Sequence, residues 1–95
     1  MVSTDMVYKV LVTNRAKKSL AQLPMNIAKA IYLELTSLSF EDNPKTRVKK
    51  LKGNKNPPFY SLRVGDYRVI LNIEDGVLLI HVIEAGHRKK IYRGY

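Results

Sequence analysis

Three stretches in the second half of the chain, residues 59–64, 67–74 and 77–84, alternate apolar and polar positions with a period of two. That alternation, rich in Val, Ile, Leu and Tyr, predicts half-buried β-strands. Gly65-Asp66 and Asp75-Gly76 separate them, and each dipeptide is a two-residue hairpin signal. A further strand is predicted over residues 8–12, Tyr-Lys-Val-Leu-Val. Between this strand and the hairpins the period becomes helical. Thr13 or Asn14 is a candidate N-cap, and Ala16, Leu20 and Leu23 recur at helical spacing. Pro24 breaks that helix and suits the first turn of the next. From Asn26 onward Ile27, Ile31, Leu35 and Leu38 form one apolar stripe, joined by Ala28, Tyr32 and Phe40, until Asn43-Pro44 ends it. The predicted order is β-α-α-β-β-β. Two short-linked amphipathic helices then form an antiparallel hairpin over one face of a mostly antiparallel sheet, an α+β fold.

Counting outward from the two turns sorts the strand residues into faces. Leu62, Val64, Tyr67, Val69, Leu71, Ile73, Leu78, Ile80 and Val82 make an apolar face that must lie under the helices. The other face carries Ser61, Arg63, Arg68, Ile70, Asn72, His81 and Ile83, and is cationic at its centre. A two-residue turn pairs Val64 with Tyr67 and sets Arg63 directly opposite Arg68. Like charges opposed across a ladder repel, so folding alone does not account for them. A phosphate between them does, because the guanidinium fork matches phosphate oxygens and keeps its charge near neutral pH.

Composition narrows the class. Ninety-five residues suit one domain, expected over residues 6–95, with residues 1–5 a loose tail and Met6 a possible second start. Lys and Arg number 17 against 8 acids, a formal charge of +9, which attracts polyanions, nucleic acid first and an acidic protein second. There is no cysteine, so disulfides, thiolate chemistry and cysteine zinc sites are excluded. No apolar run reaches membrane-spanning length and no signal-peptide pattern opens the chain, so a cytoplasmic protein without membrane contact is expected.

Residues 45–55 crowd Lys45, Arg47, Lys49, Lys50, Lys52 and Lys55 around only Val48 and Leu51, followed by Pro57-Pro58. An exposed basic loop is predicted that contacts nucleic-acid backbone without reading bases. A second basic run, Gly86-His-Arg-Lys-Lys-Ile-Tyr92, leaves the last strand close to Arg63 and Arg68. It offers Arg88 as a third guanidinium, Tyr92 to stack or donate a hydrogen bond, and His87, Lys89 and Lys90 as further contacts. His81 and His87 are the candidates for proton transfer. Glu41-Asp42, Glu74-Asp75 and Glu84 form no cluster suited to magnesium, so neither metal nor other cofactor is expected.

The segments Leu51-Lys-Gly53, Tyr60-Ser-Leu-Arg-Val-Gly-Asp-Tyr-Arg-Val69 and Gly86 to Tyr92 resemble the RelE/ParE toxin superfamily, its RelE-like side most of all. The resemblance spans nearly the whole chain and implies the RelE-like, microbial-RNase-type fold. It also implies a toxin of a type II toxin–antitoxin pair that cleaves messenger RNA in the ribosomal A site without metal, by attack of a 2′-hydroxyl on the adjacent phosphate. Arg63, Arg68, Arg88 and Tyr92 fall on the family's catalytic positions, and an acidic RelB-like antitoxin is the implied partner beside the ribosome and its messenger RNA. Ser61 departs from the pattern, since the best-studied members carry there a lysine assigned the role of general base. Two alternatives stay open: a ParE-like toxin that binds gyrase without cutting RNA, and a weakly active toxin that serves mainly as co-repressor.

Overall fold

The computed structural model describes residues 8–53 and 56–91. The expected N-terminal tail, Lys55 and Tyr92 lie outside that range. Strand β1 (Lys9–Val12) is followed by α1 (Asn14–Ala21), α2 (Met25–Ser39), β2 (Lys49–Lys50), β3 (Tyr60–Val64), β4 (Tyr67–Glu74) and β5 (Leu79–His87). Single turns of 3₁₀ helix lie at Pro44–Arg47 and Asp75–Val77. The strands form one sheet in the order β1-β5-β4-β3-β2. Only the β1–β5 pair is parallel. The α+β architecture expected from the sequence is present.

Thr13 caps α1: its Oγ1 accepts from the Ala16 amide at 3.1 Å and donates to the Val82 carbonyl at 2.9 Å. One side chain thereby starts the helix and fixes it to β5. The Ser19 hydroxyl repeats the tie further along, accepting the Ala85 amide at 3.0 Å. Ala16 and Leu20 of α1 and Ile31, Leu35 and Leu38 of α2 pack with Leu62, Val69, Leu71, Ile80 and Val82 in one core on one side of the sheet. Burial of these side chains is the main stabilising term, about 1.5–3 kcal/mol for each large one.

Several expectations are corrected. The helix α2 stops at Ser39, ahead of Asn43-Pro44, and the Ser39 carbonyl, left without a partner in the helix, accepts the Tyr8 amide at 2.7 Å. Pro24 caps α2 instead of entering its first turn. Tyr32 and Phe40 do not join the buried stripe; they are 46% and 60% exposed on the outer side. Asp75-Gly76 is not a two-residue hairpin, because Leu78 takes a left-handed conformation (φ 52°) after the 3₁₀ turn and β5 begins at Leu79. The basic loop is not all loop, since Lys49 and Lys50 pair with Ser61 and Tyr60 as a short edge strand. A β-bulge between Ile70 and Leu71 leaves Ile83 without a partner and sets Ile70 opposite Glu84. Beyond it the alternation of β5 changes phase, so Ala85 joins the core.

Candidate functional site

Gly65 sits at φ +60°, a backbone conformation that favours glycine, and closes the predicted two-residue turn. The ladder pairs Arg63 with Arg68 and Ser61 with Ile70. Arg63 is exposed and its Nε donates to the Gly65 carbonyl at 3.3 Å. Arg68 is half-buried, and its Nε is shielded from solvent with no hydrogen-bond partner among the described residues. A buried donor left unpaired costs about 1–3 kcal/mol, so this guanidinium is set to receive an acceptor, and a phosphate oxygen is a strong one. Arg68 borders a cavity of about 320 Å³ whose other walls are Lys49, Lys50, Leu51 and Lys52. The opposite face is thus less open than its sequence suggests: Ser61 and Ile70 are 1% and 0% exposed, and the cations stand around a closed floor.

Strand β5 runs three residues past its expected end, to His87, and this decides where the C-terminal basic run lies. Gly86 faces Arg68 and His87 faces Tyr67. The Arg88 amide donates to the Asp66 carbonyl at 2.9 Å, so Arg88 is held beside the turn that opposes Arg63 to Arg68. The chain then folds back, and buried Ile91 rests on Gly86; a Cβ at that glycine would stand 3.2 Å from Ile91 Cδ1. The end of the described chain therefore returns to the strand pair that carries Arg68, while Tyr92 itself is beyond the described residues. His87 packs edge-on against Tyr67, with ring centroids 5.3 Å apart, and its Nδ1 accepts the Lys89 amide at 3.2 Å. Lys89 and Lys90 are exposed on the same turn.

Other candidates are drawn away. His81 faces Asn72, four residues along β4 from Arg68, or about 13 Å. Its Nε2 lies 3.3 Å from Glu74 Oε1, close enough for an ion pair but without hydrogen-bond geometry. Lys45 and Arg47 leave the basic surface for structural work. Arg47 bridges Glu34 at 2.9 Å and Glu41 at 3.1 Å. Lys45 binds Asp75 at 2.8 Å, and Tyr8 donates to the same carboxylate at 2.9 Å. Gly86 and Ile91 were not among the sequence candidates, although a glycine inside a strand is itself a signal of close approach. Among the described residues no group of three His, Cys, Asp or Glu is placed to hold a metal ion. No described helix is long and apolar enough to cross a membrane.

The family model for the ParE toxin of type II toxin–antitoxin systems, parDE, matches residues 10–92. Toxin RelE of Mycobacterium tuberculosis is 35% identical over 92 residues, which cover 97% of this chain and 93% of that protein. The chain belongs to the RelE/ParE toxin family. Among solved RelE-family structures, the RelBE2 toxin–antitoxin complex of M. tuberculosis superposes with a TM-score of 0.73 at 28% identity, covering 92% of this chain and 98% of that one. The archaeal RelE–RelB complex of Pyrococcus horikoshii gives 0.71 at 27% identity, covering 90% and 99%. A free-state Escherichia coli RelE variant, at 20% identity and a TM-score of 0.72 over 90% of each chain, shares the fold. In this RelE/ParE toxin two of the segments that carried the resemblance, Tyr60 to Val69 and the described part of Gly86 to Tyr92, meet at the β3–β4 turn. The third, Leu51-Lys-Gly53, follows β2, and its Leu51 and Lys52 border the Arg68 cavity.

Proposed function

We propose that this toxin is a ribosome-dependent endonuclease that cuts messenger RNA in the A site. Arg68, with its buried and unpartnered Nε, carries the reading. In the proposed reaction the 2′-oxygen bonds to the adjacent phosphorus and the bond to the 5′-oxygen breaks, leaving a 2′,3′-cyclic phosphate and a 5′-hydroxyl. The phosphate gains negative charge during attack, and preorganised guanidinium donors stabilise that charge. Arg68 and Arg88 take this role, Arg63 adds charge, and Tyr92 positions the nucleotide. These cations supply the charge that a metal would otherwise provide. Lys50, Lys52, Lys55, His87, Lys89 and Lys90 contact RNA backbone.

An acidic antitoxin with an amphipathic segment is the proposed partner, as the solved relative from P. horikoshii is a complex with RelB and that from M. tuberculosis a toxin–antitoxin complex. The outer side of α2 supports this reading: Met25, Tyr32, Leu33 and Phe40 are all exposed there, at 46–73%. Lys29, Tyr32, Leu33 and Thr36 line a shallow groove of about 310 Å³ on that side. The protein's excess charge of +9 favours an acidic occupant.

The match to the ParE model keeps one rival, a gyrase-binding toxin without nuclease activity. Translation in vitro with primer extension separates the two. Toxin-dependent stops within A-site codons that persist after chelation on preformed ribosomal complexes are the expected result. Growth arrest by wild type without any messenger-RNA cut, together with binding to gyrase, would establish the rival.

A further inference from the structure

Lys49, Lys50 and Lys52 are equivalent in the sequence, three cations of one basic run, but the fold separates them. The β2–β3 register sets Lys49 directly opposite Ser61 and Lys50 opposite Tyr60. Opposed residues share a face, and Ser61 shares its face with Arg63 two positions along β3. Lys49 therefore projects on the arginine side of the sheet, and Lys50 on the side of Tyr60. Lys49 and Arg68 stand on strands separated by β3, about 10 Å between their axes. Both border the cavity described above, as Lys50 and Lys52 also do, so the register and not the cavity singles out Lys49. Ser61, 1% exposed, is the small residue between them. A long side chain at position 61 would occupy that space. With a serine there, the floor between Lys49 and Arg68 is short and closed, and the cavity that both border is the space for a ligand.

We propose that Lys49 and Arg68 hold one RNA phosphate between them, so that Lys49 belongs to the reacting centre and not to the docking surface. The inference rests on the nuclease reading for its chemistry. An ammonium and a guanidinium on two sides of a phosphate neutralise its non-bridging oxygens from both directions. The stabilisation is greatest when the 2′-oxygen has bonded to phosphorus and the bond to the 5′-oxygen is breaking. Lys49 holds charge throughout and transfers no proton; the 2′-hydroxyl proton leaves to solvent and the 5′-oxygen takes one up.

Two measurements test this, and they fail separately. The first is single-turnover cleavage on programmed ribosomes at saturating toxin for wild type, Lys49→Met, Lys49→Arg and Lys18→Met, with circular dichroism of each. Lys49→Met is expected to lose about 100-fold in the saturated rate, the typical loss for one donor to a developing charge. Lys49→Arg recovers most of it, and Lys18→Met, a charge loss on the exposed side of α1, matches wild type. The second is nitrogen NMR of the Lys49 Nζ and Arg68 Nε signals during titration with an uncleavable 2′-deoxy oligonucleotide. Both are expected to shift along one binding curve, and Lys49→Met to diminish the Arg68 shift. A saturated rate for Lys49→Met equal to wild type overturns the role in catalysis. An Arg68 response untouched by Lys49→Met overturns the shared phosphate. If wild type cuts no messenger RNA, the nuclease reading falls, and the NMR titration alone decides whether the two cations share a phosphate.

Discussion

Arg63 and Arg68 face each other across β3 and β4, yet among the described residues only the Arg63 Nε has an acceptor. Its Nε turns back to the Gly65 carbonyl, while the Arg68 Nε is buried without an acceptor. The asymmetry assigns different work to two residues that sequence symmetry presents as a pair. Arg63 contributes field from the rim. Arg68 is preorganised to donate to something that arrives.

Arg68→Ala should therefore act on the chemical step more than on binding. A fall of about 100-fold or more in the single-turnover rate at saturation is expected, with a small change in apparent affinity. The fold should survive, because removing one of two opposed like charges relieves repulsion and removes a buried unpaired donor. Rapid-quench cleavage and thermal unfolding of the same preparation check both statements. An equally toxic Arg68→Ala variant that cuts no less than wild type would sink the assignment.

Gly86 seats Ile91, and through Ile91 the turn that presents Arg88. Gly86→Val places branched carbon where Ile91 Cδ1 already stands 3.2 Å from a single Cβ. Overpacking of this kind costs about 1–3 kcal/mol and shifts the displaced neighbour. Urea unfolding should show that loss, and cleavage should fall further than Gly86→Ala makes it fall. Full activity in a Gly86→Val variant of unchanged stability would show that the return of the chain over Gly86 has no bearing on the site.

Leu33 is 72% exposed on the outer side of α2, so replacing it leaves the core untouched. Leu33→Glu should weaken capture by an acidic antitoxin at least about tenfold, since burying a leucine contributes about 1.5–3 kcal/mol and the new charge repels. Titration calorimetry with the cognate antitoxin measures this. Unchanged affinity would move the antitoxin to another surface.

Asp75 joins two distant segments, and its pH dependence has a definite sign. The hydrogen bond from Lys45, then that from Tyr8, hold its carboxyl below the ordinary 3.8. A depressed folded value means the contribution is present above the ordinary value and is lost as pH falls through it. Lys45 is raised above 10.5 chiefly by its hydrogen bond to Asp75. Tyr8 is raised above 10.0, by burial first and by Asp75 second. These two contributions are present below their ordinary values and fade as pH rises past them. Asp75→Asn should therefore lower stability between about pH 5 and 9, by up to about 1 kcal/mol for so exposed a pair, with a gap that narrows at both extremes. Chemical unfolding of both proteins across pH tests it; a gap that widens in acid contradicts the sign.

What the sequence alone determined was local and periodic. Alternation in β3 and β4 and the helical spacing of α1 and α2 gave the α+β class, because side-chain periods of two and 3.6 follow from backbone geometry. Gly65-Asp66 fixed the opposition of Arg63 and Arg68, because a two-residue turn permits one register. The rest depended on contacts between residues far apart in the chain. The Tyr8 amide satisfies the Ser39 carbonyl at the end of α2, a link that no window of sequence contains. The bulge at Ile83 depends on the partner strand β4, and it changes the phase of β5 so that Gly86 lies across from Arg68. The division among Lys49, Lys50 and Lys52 is likewise tertiary: on an isolated basic segment their charges are interchangeable. Pairing with Ser61 and Tyr60 gives two of them opposite faces, because only a strand held in a ladder has faces at all.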